Sequence, residues 1–302
     1  MQEPSLRTSR LAIAGGIAAA LVIGAGGFLL GRTTTERTEI VAAPTPVAAP
    51  TPAPKPSPAT RTVLGRADLI ALASKAADAA AAGRDPGAAL GDAVGQRFEV
   101  RLPFGCEGPA DEESKAPMRW RYDAKDKALR VQAAPVEWLA GDWWRQDAPA
   151  GLETIEGFWI PRPWTTSEAC PRGAGRPAAL GADAVTLPGQ TLAIGQAFME
   201  NGPRGARRDG KPYQSVLRVG EDELDTSQGF VLRLTGRIAA VPGNGGAVRC
   251  DQPAGAEQRP ICLIGVTFDR VAIEAAADDR LIATWDNAIS DVAASVEAGA
   301  AR

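Results

Sequence analysis

Residues 11–31, LAIAGGIAAALVIGAGGFLLG, form an uncharged and almost wholly apolar run, and a Pro/Ala-rich stretch follows it at 40–60. Together these segments remove the N-terminal part of the chain from any globular core. A helix of that length reaches about 31 Å, enough to cross a hydrocarbon layer of about 30 Å. The run is longer than the apolar core of a cleaved signal peptide, and Phe28-Leu29-Leu30-Gly31-Arg32 makes a poor cleavage site. The expectation is an uncleaved, single-pass anchor. Arg7 and Arg10 before it nearly balance Arg32 and Arg37 after it, so the positive-inside rule alone does not orient it. Gly16, Ala20 and Gly24, with Gly27 and Gly31, recur at four-residue spacing, which lets two such helices pack closely as a homodimer in lipid.

Prolines at 44, 46, 50, 52, 54, 56 and 58 bar helix and central strand from the tether. Polyproline II at about 3.1 Å per residue makes it a semi-rigid spacer of roughly 60 Å. The organisation read from sequence is a cytoplasmic tail at 1–10, the anchor at 11–31, a linker at 32–61 and a folded domain at 62–302, with an internal seam near 172–184.

The four cysteines, Cys106, Cys170, Cys250 and Cys262, form no CxxC, and the chain has no histidine. A zinc site would need all four thiolates at irregular spacing, so no metal and no cofactor is expected. Four cysteines allow three connectivities. Sequence proximity favours Cys250–Cys262 and Cys106–Cys170, and two bridges imply an oxidising compartment. This orients the chain as a bacterial inner-membrane protein with its C-terminal domain in the periplasm.

Within the domain, Ala67–Ala82 carries an apolar stripe at Leu69, Ile70, Leu72 and Ala73 and ends at Gly83, which predicts a helix; a second short one is expected at 88–94. Strands follow. Arg97–Phe104 alternates; 118–122 and 129–133 flank a polar turn; 154–160, 191–198 and 215–219 come next. Phe230–Val241 and Cys262–Ile273 read as long partners, the former bent at Gly236; Leu281–Trp285 is a last strand and Asp286–Ala298 a closing helix. The fold class is α+β: a mostly antiparallel β domain, as a partly closed barrel or a sandwich, with helices at its ends.

Absence of histidine excludes Ser-His-Asp and Cys-His nucleophiles and His-ligated zinc hydrolysis. Gly205–Lys211 is followed by Pro212 where a P-loop needs Ser or Thr, and Gly243–Gly246 lies between strands and reads as a hairpin loop. A net charge of −3 without a long like-charge run argues against nucleic acid.

One region has unusual texture. Five of the seven tryptophans fall within 138–164, interleaved with charges. Trp138, Asp142, Trp143, Trp144, Arg145, Trp159 and Trp164 form the candidate ligand-binding set: indole rings stack on pyranose faces while Asp and Arg hold hydroxyls. The competing role for these rings is to cap the core beneath a disulfide. Catalysis, if any, would use a carboxylate pair drawn from Glu137, Asp142, Glu153 and Glu156, as in glycoside hydrolysis. Arg204, Arg207, Arg208 and Lys211 make the loop 202–211 basic, a solvated tip or a contact for an anionic surface, and the acidic stretch 221–225 follows to offset it. The function expected is non-catalytic binding of an envelope glycan or envelope protein; the alternatives are a carboxylate-dependent glycan-cleaving enzyme and a scaffold subunit of an inner-membrane complex.

Overall fold

The computed structural model describes residues 63–85, 88–144, 146–171, 191–220, 223, 225–243, 245–253 and 255–287. The expected anchor at 11–31, the linker, the seam at 172–184 and, from residue 288 on, the closing helix expected at Asp286–Ala298 lie outside these residues; Asp286 itself ends a strand. Among the described residues, no helix is long and apolar enough to cross a membrane.

The domain begins with helix α1 (Arg66–Ala81). Asp68 accepts the Gly65 N–H at 2.9 Å, placing a carboxylate over the first turn. At the far end Gly83 adopts φ 67°, Gly83 N–H donates to Ala80 and Arg84 N–H to Ala79, a Schellman closure that glycine makes without strain. Leu69, Ala73, Ala76 and Ala77 are buried, and Ile70 and Leu72 pack beside them. Arg66, in the first turn, is also buried. Its guanidinium donates to the carbonyls of Thr165 (3.0 Å), Arg162 (3.1 Å) and Pro161, tying the start of the helix to a distant loop. Burial, aided by Arg162, lowers its pKa. The second predicted helix is a single 3₁₀ stretch, Ala88–Ala93.

The rest is mostly β. The strands are β1 (Arg97–Phe104), β2 (Met118–Asp123), β3 (Ala128–Ala133), β4 (Val136–Trp138), β5 (Leu152–Trp159), β6 (Leu192–Met199), β7 (Tyr213–Arg218), β8 (Phe230–Ile238), β9 (Val248–Asp251), β10 (Ile261–Ala275) and β11 (Leu281–Asp286), with one helical turn, α2 (Ala140–Trp143), after β4. Eight strands form one sheet in the order β1-β8-β10-β6-β5-β4, with β9 and β11 also on β10; β2-β3-β7 form a second. The large sheet ends at β1 and β4 and does not close, so of the expected architectures a closed barrel is not formed: the fold is mostly β, in two sheets with few helices. All pairings between these strands are antiparallel except β6 with β10.

The organising element is β10, whose 15 residues serve two halves of the sheet. Its first part lies between β9 and β6; from Val266 it pairs with β8, and after a bulge at Phe268/Arg270 it lies between β8 and β11. At the changeover, Gln196 accepts the Phe268 N–H (3.1 Å) and Asn287 donates its amide to the Phe268 carbonyl (2.9 Å), so side chains replace missing ladder bonds. Gly236 sits where a Cβ would come within 2.0 Å of the Thr267 carbonyl oxygen, which is why the strand opposite the bulge needs glycine.

The expected hairpin at Gly243–Gly246 is not one. β8 and β9 run end to end along the same edge of β10: Ala239 N–H donates to Gly265 and Gly265 N–H to Ala247, while Val241 N–H donates to Gly246 and closes the excursion between them. The chain leaves the edge, makes a small loop and rejoins it. Both expected disulfides form. Cys250 and Cys262 face each other across β9–β10, and Cys106–Cys170 joins the β1–β2 connection to the segment after β5. The main core gathers Phe98, Phe104, Phe158, Phe230 and Phe268 from the large sheet with Trp120, Leu129, Val131 and Tyr213 from the small one.

Candidate binding site

The tryptophan-rich segment lies on β4, α2 and β5, and its rings turn inward. Trp138, Trp143 and Trp144 are 6%, 3% and 4% exposed and form a second core with Ile155, Ala193, Val241 and Leu263. Trp138 meets Trp143 and Trp159 edge-on, with ring centroids 5.7 and 5.3 Å apart. The Arg249 guanidinium lies 4.6 Å over the Trp144 ring, and its Nε donates to the Trp143 carbonyl at 2.8 Å. These three rings therefore present no face to a sugar. Trp159 is half-buried against them, and Trp164, on the loop after β5, is exposed and not part of this core. Asp142 caps α2 by accepting the Leu139 N–H at 2.8 Å. Arg145 lies outside the described residues. Thus the cluster shares a core, while the predicted polar partners are either structural or undescribed.

The carboxylates are equally committed. Glu137 on β4 stands directly opposite Glu156 on β5, an unfavourable like-charge pair. The loop between β6 and β7 supplies the remedy. Arg207 lies 3.6 Å from Glu137, 3.8 Å from Glu156, 2.6 Å from Glu153 and 2.7 Å from Asp209. Arg204 adds a second contact to Glu153 at 2.5 Å. Buried Glu156 accepts the backbone N–H groups of Arg208 (2.7 Å) and Asp209 (2.8 Å). Hydrogen bonding from Arg207, and then from Arg204, holds the Glu153 carboxyl below its usual pKa. A general acid needs the opposite shift. The loop 202–211 is therefore not a free basic tip: Arg204 and Arg207 pair with carboxylates from β4 and β5.

An open cleft of about 370 Å³ adjoins the tryptophan core. Its walls are Ile155, Met199, Pro203, Val241, Pro242 and Val266, and Gln196 and Thr267 supply the polar side chains. Beneath it lie buried Gly195 and Gly265, which pair directly across β6 and β10; Gly157 pairs with Gly195 from the other side. This row of three glycines brings the strands close: a Cβ at Gly157 would lie 2.1 Å from the Ile194 carbonyl oxygen, and one at Gly195 2.8 Å from Ile155 Cγ2. The excursion between β8 and β9 forms one rim. Nothing in the sequence announces the cleft, since its glycines are far apart along the chain and only the strand register aligns them.

Among the described residues, no group of three or more His, Cys, Asp or Glu side chains is disposed to hold a metal ion. In comparisons with known proteins, no family model, no curated protein and no solved structure matches the chain.

Proposed function

We propose that this chain is a non-catalytic envelope protein, anchored in the bacterial inner membrane by residues 11–31, whose periplasmic β domain holds a segment of another envelope protein in the cleft between Met199, Pro203 and Val241. The observation that carries the reading is the cleft itself, open, with apolar walls at Met199, Pro203 and Val266 and the polar side chains of Gln196 and Thr267 beside them. Protein is favoured over glycan because three of the five candidate indoles, Trp138, Trp143 and Trp144, are core and only Trp164 is exposed. Binding is favoured over cleavage because Glu137, Glu153 and Glu156 are tied to Arg207 and to backbone N–H groups. The apolar run and the two disulfides support the location.

The test uses the full-length chain in bacterial membranes, with a photo-crosslinking residue at exposed Pro203 and, as control, at Lys75 on α1. A discrete protein adduct from position 203, absent from position 75 and lost on Met199→Asp with an unchanged melting temperature, is the expected result. An adduct indifferent to Met199→Asp, or adducts to glycan alone, overturns the reading.

A further inference from the structure

The outward face of the β2-β3-β7 sheet carries charge that nothing in the described structure neutralises. Register places Arg119, Gln132 and Gln214 in one cross-strand row, Arg121, Arg130 and Val216 in the next, and Asp123, Ala128 and Arg218 in the third. The opposite face, with Trp120, Leu129, Val131 and Tyr213, is buried in the core. Arg130, Val216 and Arg218 are exposed, Val216 by 56%. Arg119 and Arg121 donate only to the backbone carbonyls of Ala116 (2.7 Å) and Glu112 (3.3 Å). Asp123 is occupied in the hairpin turn, accepting the N–H groups of Lys125 and Asp126.

Arg121 directly opposite Arg130 is a costly arrangement. Elsewhere this protein relieves such pairs internally. Arg101 opposite Arg233 is bridged by buried Glu274, at 3.1 and 2.9 Å, as Glu137 opposite Glu156 is bridged by Arg207. The exposed pair Arg97 and Arg237 shares its face with Glu99. Among the described residues no carboxylate pairs with Arg119, Arg121, Arg130 or Arg218, and a depression of about 150 Å³ lies between the first three.

We propose that this face docks an extended acidic segment of a partner protein, one with Asp or Glu at alternate positions. The spacing selects that chemistry. Arg119 and Arg121 are two residues apart on one strand, about 6.8 Å, which is the repeat of alternate side chains on any extended peptide. The four arginines run diagonally from β2 to β7 over about 17 Å, at about 35° to the strands, taking adjacent strands as about 4.8 Å apart. An extended segment of about six residues covers that diagonal, and the crossing angle is close to the roughly 30° at which aligned β layers pack. Guanidinium forks match carboxylates in geometry, and exposed Val216 offers an apolar contact beside them. The docking face is separate from the cleft, and the inference stands whatever fills that cleft.

The test takes the full-length, disulfide-bonded chain in neutral detergent and measures fluorescence anisotropy with a labelled alternating Glu-Thr dodecapeptide. Comparators are a block peptide of the same composition, polygalacturonate, and vesicles containing phosphatidylglycerol. The expected result is binding of the alternating peptide that weakens with salt and falls about tenfold in Arg130→Gln, with a larger loss in Arg121→Gln/Arg130→Gln. Lys75→Gln, on α1, leaves it unchanged. Both arginine variants should melt at or above the parent temperature, since they remove a like-charge pair. Equal binding of the block peptide, tighter binding of polygalacturonate or vesicles, or arginine variants that bind like the parent would each overturn the proposal.

Discussion

Trp143 separates a packing role from a recognition role for the tryptophan segment. Its ring is 3% exposed and lies against Trp138 and Trp159, with centroids 5.7 and 6.1 Å away. A buried indole removes about 150–250 Å² from water, worth roughly 4–6 kcal/mol at about 25 cal/mol per Å² as an upper bound. Allowing for a compact unfolded state and partial collapse of the cavity, Trp143→Ala should cost about 3–5 kcal/mol. Trp143→Phe tests the same site with the opposite polar consequence. The indole Nε1 is buried with no acceptor, so its desolvation is already unfavourable in the parent. Phenylalanine keeps most of the ring contacts and removes that orphan donor, and the net loss should stay below about 1.5 kcal/mol. Urea denaturation of the oxidised protein, followed by far-UV circular dichroism, reads both values. If Trp143→Ala cost less than about 1 kcal/mol, or Trp143→Phe cost as much as Trp143→Ala, the ring would not be the packed, unpartnered core residue described here.

Other consequences are directly measurable. Gly157→Ala should destabilise by about 1–3 kcal/mol or more, since the new methyl meets the backbone of β6 rather than a movable side chain; a denaturation midpoint equal to the parent's would contradict the close approach of β5 and β6. The chain-entropy model assigns about 3 kcal/mol to Cys250–Cys262 and about 4 to Cys106–Cys170. The double serine variant at 106 and 170 should therefore lose more stability than that at 250 and 262, and a reversed order in denaturation would count against the loop-length argument. Burial pushes the Tyr213 phenol up to about 12. Its unfolded counterpart ionises near 10, so the unfolded state binds fewer protons between these values and stability falls as pH rises from about 10 to about 12. Ultraviolet phenolate absorbance should lose a late component in Tyr213→Phe. The Glu153 carboxyl, held low by Arg207 and Arg204, has the opposite dependence: its contribution is complete above the ordinary glutamate range and is lost as pH falls through its depressed folded value. Arg207→Gln should therefore flatten the acid limb of the stability–pH curve.

Local physics wrote much of this domain legibly into the chain. The stripe Leu69, Ile70, Leu72 and Ala73, stopped by Gly83, predicts α1 because helix periodicity and the left-handed cap are properties of neighbouring residues. Alternation placed β1 at its observed bounds, and the turn at 123–128 set the β2–β3 hairpin. Proximity favoured Cys250 with Cys262, and the register of β9 against β10 places them directly opposite each other. What tertiary structure alone decided was everything that depends on which strands become neighbours. Short β4 and β9 carry too little pattern to announce themselves. Gly243–Gly246 looked like a hairpin loop, since nothing in it reveals that both flanking strands would pair with β10 instead of with each other. The tryptophans, dense in sequence, face inward because β4 and β5 turn that side of the sheet toward α2 and the loop at Val241. Glu137 opposite Glu156, the arginine that rescues them, and the glycines aligned under the cleft are products of register, which joins residues tens of positions apart. Sequence specifies the period of each strand and the stops of each helix; register and strand order arise from long-range burial, and these decided which side chains became core, which became ion pairs and which were left facing solvent.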